Sequence, residues 1–180
     1  MVKKIILGVV LFLVIAIGYL FMTSSKQSPF DTASYSNQGL EISVDYCRPY
    51  KKGRVIFGEE SEGALLPNGV YWRLGANAAT EITFITNVTF AGKAVEAGTY
   101  RMYAVPNSSS FEVSLNSGLD TYFAVSEPDY ELDVLKVNVP TSKGDAEVEQ
   151  FTINFESNPT GVNMNFVWDK MIVSVPISKQ

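Results

Sequence analysis

Gly39-Leu40-Glu41-Ile42-Ser43-Val44-Asp45-Tyr46-Cys47-Arg48-Pro49 decides the fold class. Leu40, Ile42, Val44 and Tyr46 alternate with Glu41, Ser43 and Asp45, a period of two. Successive side chains of a strand point to opposite faces, so this spacing makes one apolar face and one polar face. The same period continues downstream. Ile82 and Phe84 share a face, as do Val88 and Phe90; Tyr100, Met102 and Ala104 alternate up to Pro106; Phe111, Val113 and Leu115 follow the turn cluster Asn107–Ser110. Phe151, Ile153 and Phe155 precede the turn Asn158-Pro159-Thr160-Gly161, and Val162, Met164, Phe166 and Trp168 lead to Val173, Val175 and Ile177. Ala91-Gly92 and Ala97-Gly98 read as turns around a short Lys93–Glu96 piece. Only one segment breaks phase: Leu132 and Val134 are even, whereas Leu135, Val137 and Val139 are odd. A β-bulge near Val134 and Leu135 resets the face. Beyond the N-terminal run no window has a helical period. The pattern predicts about nine to eleven strands in an all-β, antiparallel β-sandwich, jelly-roll-like or Ig-like.

Before those strands lies a different kind of sequence. Met1–Lys4 is basic, and Ile5–Met22 is apolar and uncharged. As a helix that run spans roughly 27 Å at about 1.5 Å per residue, close to the hydrocarbon thickness of a bilayer. Residues 1–22 therefore read as a signal anchor, a transmembrane helix with Lys3 and Lys4 on the cytoplasmic side and the rest of the chain exported. A cleaved signal peptide is the alternative, with Thr23-Ser24-Ser25 as its weak cleavage site. No cysteine follows the run, which excludes lipoprotein processing. Residues 23–29 read as a polar tether and 30–180 as the exported domain.

Composition removes several functions. The 180 residues contain no histidine and one cysteine. A histidine-based nucleophile system, a histidine-ligated zinc site and an internal disulfide are thus impossible. The net charge is −5, and the part beyond the basic start is more acidic still. Such a chain repels phosphate backbones and anionic lipid surfaces, so no nucleic-acid partner is expected. No cofactor and no metal site is assigned.

The chemistry-bearing residues concentrate between Asp45 and Thr80. Arg48, Arg54 and Arg73 offer planar forks suited to carboxylates, phosphates or sugar hydroxyls. Tyr71 and Trp72 offer stacking surface, and Asn77 follows the small pair Gly75-Ala76. The same arginines would serve equally well in ion pairs that pin crossing segments. Of the three, Arg73 reads as the structural one, in a buried pair with a carboxylate and with Trp72 beside it in the core; Arg48 or Arg54 is then the better ligand contact. Cys47 reads as an inert core filler. Asp129, Glu131 and Asp133 would form a row of carboxylates on a strand, a calcium-like pattern that an ordinary solvated face also produces. Glu59, Glu60 and Glu62 read as a hydrated loop. Nineteen acids make some carboxylate pair inevitable, so a glycosidase-type site has no specific support.

The motifs of this stretch resemble a bacterial envelope family, domain-of-unknown-function family 2911. Its pattern is D-Y-S-R-P, K-G-R-x-I-F-G, W-R-x-G-A-N-E-A-T and G-K-x-[LV]-x-A-G-x-Y, with a final W-x-x-x-x-V segment. The counterparts here are Asp45–Pro49, Lys52–Gly58, Trp72–Thr80, Gly92–Tyr100 and Trp168–Ile177. The resemblance implies an exported β-rich domain and no particular activity. Cys47 stands where the family has serine, Leu74 where threonine is frequent and Ala78 where glutamate is frequent. Arg48, Arg54, Trp72, Arg73, Asn77 and Thr80 remain as candidate ligand-binding residues; none is assigned as catalytic. The expected function is a membrane-tethered, non-catalytic module of the bacterial cell envelope, binding a small molecule, glycan or peptide. A carboxylate-dependent hydrolase and a structural or assembly module are the alternatives. The expected location is a single-pass inner-membrane anchor with a periplasmic domain, or a soluble periplasmic protein if the signal is cleaved.

Overall fold

The computed structural model describes residues 2–119 and 126–180. One helix, α1 (Val2–Gln27), precedes an otherwise β-rich chain. It does not stop at the apolar boundary but runs on through Thr23–Gln27, where composition predicts a loose tether. Extending a helix by a residue is far cheaper than nucleating one, and Lys26 in the last turn complements the helix dipole. Among the described residues no helix is long and apolar enough to cross a membrane. The unbroken run of described side chains in α1 extends only from Ile5 to Tyr19, and these are largely exposed.

Eleven strands follow among the described residues. β1 (Phe30–Asn37) and β2 (Leu40–Cys47) form a hairpin in full register, from Asn37 opposite Leu40 to Phe30 opposite Cys47. Its two turn residues, Gln38 and Gly39, both have positive φ (51° and 75°), the turn whose twist matches that of the strands. β3 (Phe57–Gly58) and β4 (Leu66–Pro67) make a separate parallel pair. The others are β5 (Thr80–Phe84), β6 (Val88–Phe90), β7 (Lys93–Val95), β8 (Gly98–Pro106), β9 (Ser110–Asn116), β10 (Asp133–Asn158) and β11 (Gly161–Lys179). Nine of them form one antiparallel sheet in the order β1-β2-β5-β8-β9-β10-β11-β6-β7, which does not close.

β10 joins the two halves of that order. Asp133–Pro140 pairs with β9 and Thr141–Asn158 with β11, so the strand changes partners at Pro140, a residue with no N–H for the ladder. The far ends of the order then come back together. Tyr35 of β1 lies 6.0 Å from the Phe155 ring of β10, and Leu40, Ile42 and Val44 share one core with Phe90, Val175 and Ile177. A second tie is the Tyr46 hydroxyl, which donates to the Ile153 carbonyl (3.4 Å) and accepts from its N–H (2.9 Å).

The expected bulge is present: the register shifts between Asp133 and Leu135, leaving Val134 46% exposed and Leu135 8% exposed. The carboxylate row is not. Tyr130–Leu132 forms a 3-10 turn, and Asp129 caps it by accepting from the Glu131 N–H at 3.0 Å. The three acids therefore do not share a strand face. Among the described residues no group of three or more histidines, cysteines or acids could hold a metal. Glu60–Glu62 is a second exposed 3-10 turn, with Glu62 accepting from the Glu59 N–H at 2.9 Å.

Candidate functional site: a cationic cleft

Trp72 and Ala104 exchange both backbone hydrogen bonds (2.8 and 2.9 Å), and Thr80 stands opposite Met102. The chain thus advances from Trp72 to Thr80 while β8 advances only from Ala104 to Met102. Residues 73–79 are an excursion thrown out of the sheet. Its shape is costly for its sequence: Leu74 and Asn77 are held at φ of 52° and 60°, a region that suits few side chains. Two contacts compensate. The Thr80 hydroxyl, fully buried, donates to the Leu74 carbonyl at 2.7 Å. Gly75 lies so close to β2 that a Cβ there would sit 2.8 Å from the Cys47 carbonyl oxygen.

Opposite this excursion runs Pro49–Arg54. Lys51 N–H donates to the Glu149 carbonyl (2.6 Å) and Phe151 N–H to the Pro49 carbonyl (2.9 Å), so the segment lies along the edge of β10. The Lys51 ammonium bridges Glu147 (2.8 Å) and Asp169 (2.9 Å); the hydrogen bond to Glu147 and then that to Asp169 raise its pKa. Lys52 and Gly53, at φ of 52° and 68°, turn the chain back. Arg54 then folds over the turn, donating from Nε to the Lys51 carbonyl (2.9 Å) and from Nη2 to the Tyr50 carbonyl (2.6 Å).

Between the two segments lies a cleft of about 610 Å³. Lys52, Arg54 and Arg73 line it, together with Tyr71, Trp72 and Asn77. Among the described residues that line it none is acidic. In a chain with 19 acids and 14 bases, that is a concentrated reversal of sign. Neither Arg54 nor Arg73 makes an ion pair with a carboxylate among the described residues. Arg73, half-buried, donates from Nη1 to the Asn77 carbonyl at a long 3.3 Å. The buried carboxylate pair expected for it is not formed.

Arg48 has the opposite fate. Its Nη1 donates to Asp31 (3.0 Å), Nε to the Phe151 carbonyl (3.1 Å) and Nη2 to the Thr152 hydroxyl (2.8 Å). It ties β1 to β10 and does not line the cleft. Thr80 is likewise outside it. Of the six candidate residues, the fold brings Arg54, Trp72, Arg73 and Asn77 together and separates Arg48 and Thr80. Lys52 also lines the cleft and is not among the candidates singled out from the sequence; no local pattern marks its side chain as facing the excursion.

The floor is aromatic and the wall is braced. Trp72, 4% exposed, stacks on Trp168 at 6.0 Å and meets Phe151 at 4.9 Å, while Phe57 packs on Phe111 at 5.1 Å. Tyr71 is positioned from behind: buried Arg101 donates to its hydroxyl oxygen at 2.6 Å and lies 5.9 Å from its ring centroid. The Tyr71 proton is thereby left to donate elsewhere. Cys47 is buried and free, as expected of a core filler.

A second polar cluster on β8–β10 is neutralised internally. Asp133 accepts from the Tyr103 hydroxyl (2.7 Å) and from Asn116 (2.8 Å), and pairs with Lys136 (3.0 Å). Burial raises the Tyr103 pKa; burial and then the Glu127 hydrogen bond push Tyr130 up to about 12.

No curated protein and no solved structure matches the chain. The model of a family described as a protein of unknown function, DUF2911, matches residues 28–177, and with that coverage the chain belongs to this family.

Proposed function

We propose that the chain is a non-catalytic, membrane-tethered binding module of the cell envelope whose cleft takes an anionic group, a carboxylate or a phosphate. The observation that carries this reading is the trio Lys52, Arg54 and Arg73 around one cleft with no acid among its described lining residues. Guanidinium forks match carboxylate and phosphate oxygens in pairs, and the Tyr71 hydroxyl adds a donor. The carboxylate-dependent hydrolase alternative would need a carboxylate in that cleft, and among the described residues that line it none is an acid. The tether reading rests on the Ile5–Met22 run and on the exposure of the α1 side chains from Ile5 to Tyr19. The exported domain is best named a β-sandwich, jelly-roll-like, because the ends of one long sheet fold back over a shared core.

The test is thermal unfolding of the full chain in detergent micelles, titrated with inorganic phosphate or citrate at constant ionic strength. At one hundred times Kd, binding stabilises the native state by about 2.7 kcal/mol. For a domain of this size that raises Tm by about 5–10 °C. Arg73→Gln should weaken the effect at least tenfold in apparent Kd. No saturable shift with either anion would refute anion binding, and an equal shift in Arg73→Gln would refute its placement in this cleft.

A further inference from the structure

We infer that the anion is the phosphate of net-anionic lipid headgroups in the bilayer that the tether reading places around α1, so that the cleft clamps the domain onto its own membrane. This rests on the anion-binding and membrane-tether readings above, and it names the source of the anion.

The argument begins with position. Gln27, the last residue of α1, and Ser28 both line the cleft. Lys52 Nζ donates to Gln27 Oε1 at 3.2 Å, and Asn77 Nδ2 reaches the Ser28 carbonyl at 3.5 Å. The cleft therefore opens where the helix leaves the domain. The apolar run ends at Met22. At about 1.5 Å per residue the cleft rim lies roughly 7.5 Å beyond that point. The headgroup layer of one leaflet is about 5–8 Å thick, so the cations sit at its outer edge.

Coupling keeps them there. A seven-residue flexible tether would let the domain drift away, but helix persists to Gln27 and only Ser28 and Pro29 separate it from β1. Pro29 is itself held by the Arg48 N–H at 2.8 Å. The domain has little freedom to turn its cleft elsewhere.

The surroundings fit the same partner. Lys26, exposed on the last turn of α1, adds a fourth cation near this exit. Val55 and Leu65, joined by the Leu65 N–H to Val55 carbonyl bond of 2.9 Å, are 49% and 40% exposed beside Arg54. Apolar side chains standing next to cations suit insertion at a headgroup boundary. The chain's overall acidity opposes an anionic surface, yet at physiological salt charges beyond about 8 Å are screened, so the local cations govern. Glu149 accepts the Lys52 backbone N–H at 2.8 Å and is not among the lining residues.

The experiment uses the full chain in nanodiscs of phosphatidylcholine alone or with phosphatidylglycerol, read by amide hydrogen exchange over residues 51–54 and 73–77. A further arm adds free glycerol phosphate to the phosphatidylcholine discs. Each cation near an anionic surface contributes about fivefold in binding. We expect exchange in both segments to slow by about tenfold or more in the anionic discs, and Arg54→Gln/Arg73→Gln to abolish that slowing. Lys52→Gln, at an exposed position, should reduce it about fivefold without touching the core. Equal exchange in the two disc types overturns the headgroup assignment. If glycerol phosphate protects while phosphatidylglycerol does not, the headgroup assignment fails and anion binding stands. If neither protects, both fail.

Discussion

Arg48 and Arg73 both lie between β2 and β5 and meet opposite surroundings. Arg48 has a carboxylate, a carbonyl and a hydroxyl on its three donor nitrogens, contributed by β1 and β10. Arg73 has one long bond to a carbonyl four residues away, inside its own excursion. The first arginine fastens two parts of the sheet; the second keeps its charge available in a cleft. An arginine's role is set by whether the fold delivers it a carboxylate, and among the described residues none is delivered to Arg73.

The largest effect should come from the wall between the two regions. Trp72→Ala removes a ring that touches Phe57, Phe151 and Trp168, and should cost about 3–5 kcal/mol in chemical denaturation. It should also erase the cleft, because the excursion loses its floor. A loss under about 1 kcal/mol would mean that Trp72 is a ligand platform and not part of the core.

Arg48→Ala should cost about 2–3 kcal/mol, since it strands the Phe151 carbonyl and leaves Asp31 without its partner. Arg48→Lys keeps charge but loses the fork, and should recover only part of this. Gly75→Ala should cost about 1–3 kcal/mol, because the new methyl meets a backbone carbonyl that cannot swing aside. That variant sharpens the contrast: it should loosen the excursion, and hence anion binding, with Arg48 and its partners unchanged.

The Asp133 cluster supplies a pH control. Tyr103 and Tyr130 hold their protons to higher pH in the folded protein than the ordinary value of about 10, Tyr130 to about 12. Between those values the unfolded chain has released protons that the native state retains, so stability falls as pH rises through that window. Tyr130→Phe should flatten the alkaline loss from about pH 10 to about 12 in a pH series of unfolding midpoints. An unchanged slope would remove Tyr130 as its source.

Much of the sheet was legible because its stripes are local. Leu40, Ile42, Val44 and Tyr46, and later Phe111, Val113 and Leu115, are all buried as the period of two requires. The bulge before Leu135 was legible for the same reason: a change of phase has one geometric cause. What stayed hidden depends on long-range pairing. That Arg48 finds Asp31 follows from the β1–β2 register together with the approach of β10, and no window of sequence contains both. The cleft required more, namely that residues 73–79 leave the sheet and meet Lys52 and Arg54 across it. The end of α1 misled because polar composition suggests coil, whereas an established helix continues through Thr23–Gln27 with little penalty.

Removing Arg73 should have the smallest effect on stability. Arg73→Ala is expected to stay within about 0.5 kcal/mol of the parent, or about 1–2 °C in Tm. The decisive measurement sets it beside Arg48→Ala, each unfolded with and without saturating inorganic phosphate. The account predicts a lowered midpoint that still rises with phosphate for Arg48→Ala. For Arg73→Ala it predicts the parent's midpoint with no phosphate response. An Arg73→Ala midpoint that falls as far as that of Arg48→Ala, with its phosphate response intact, would contradict the account, making Arg73 a structural residue and the cleft no anion site of its making.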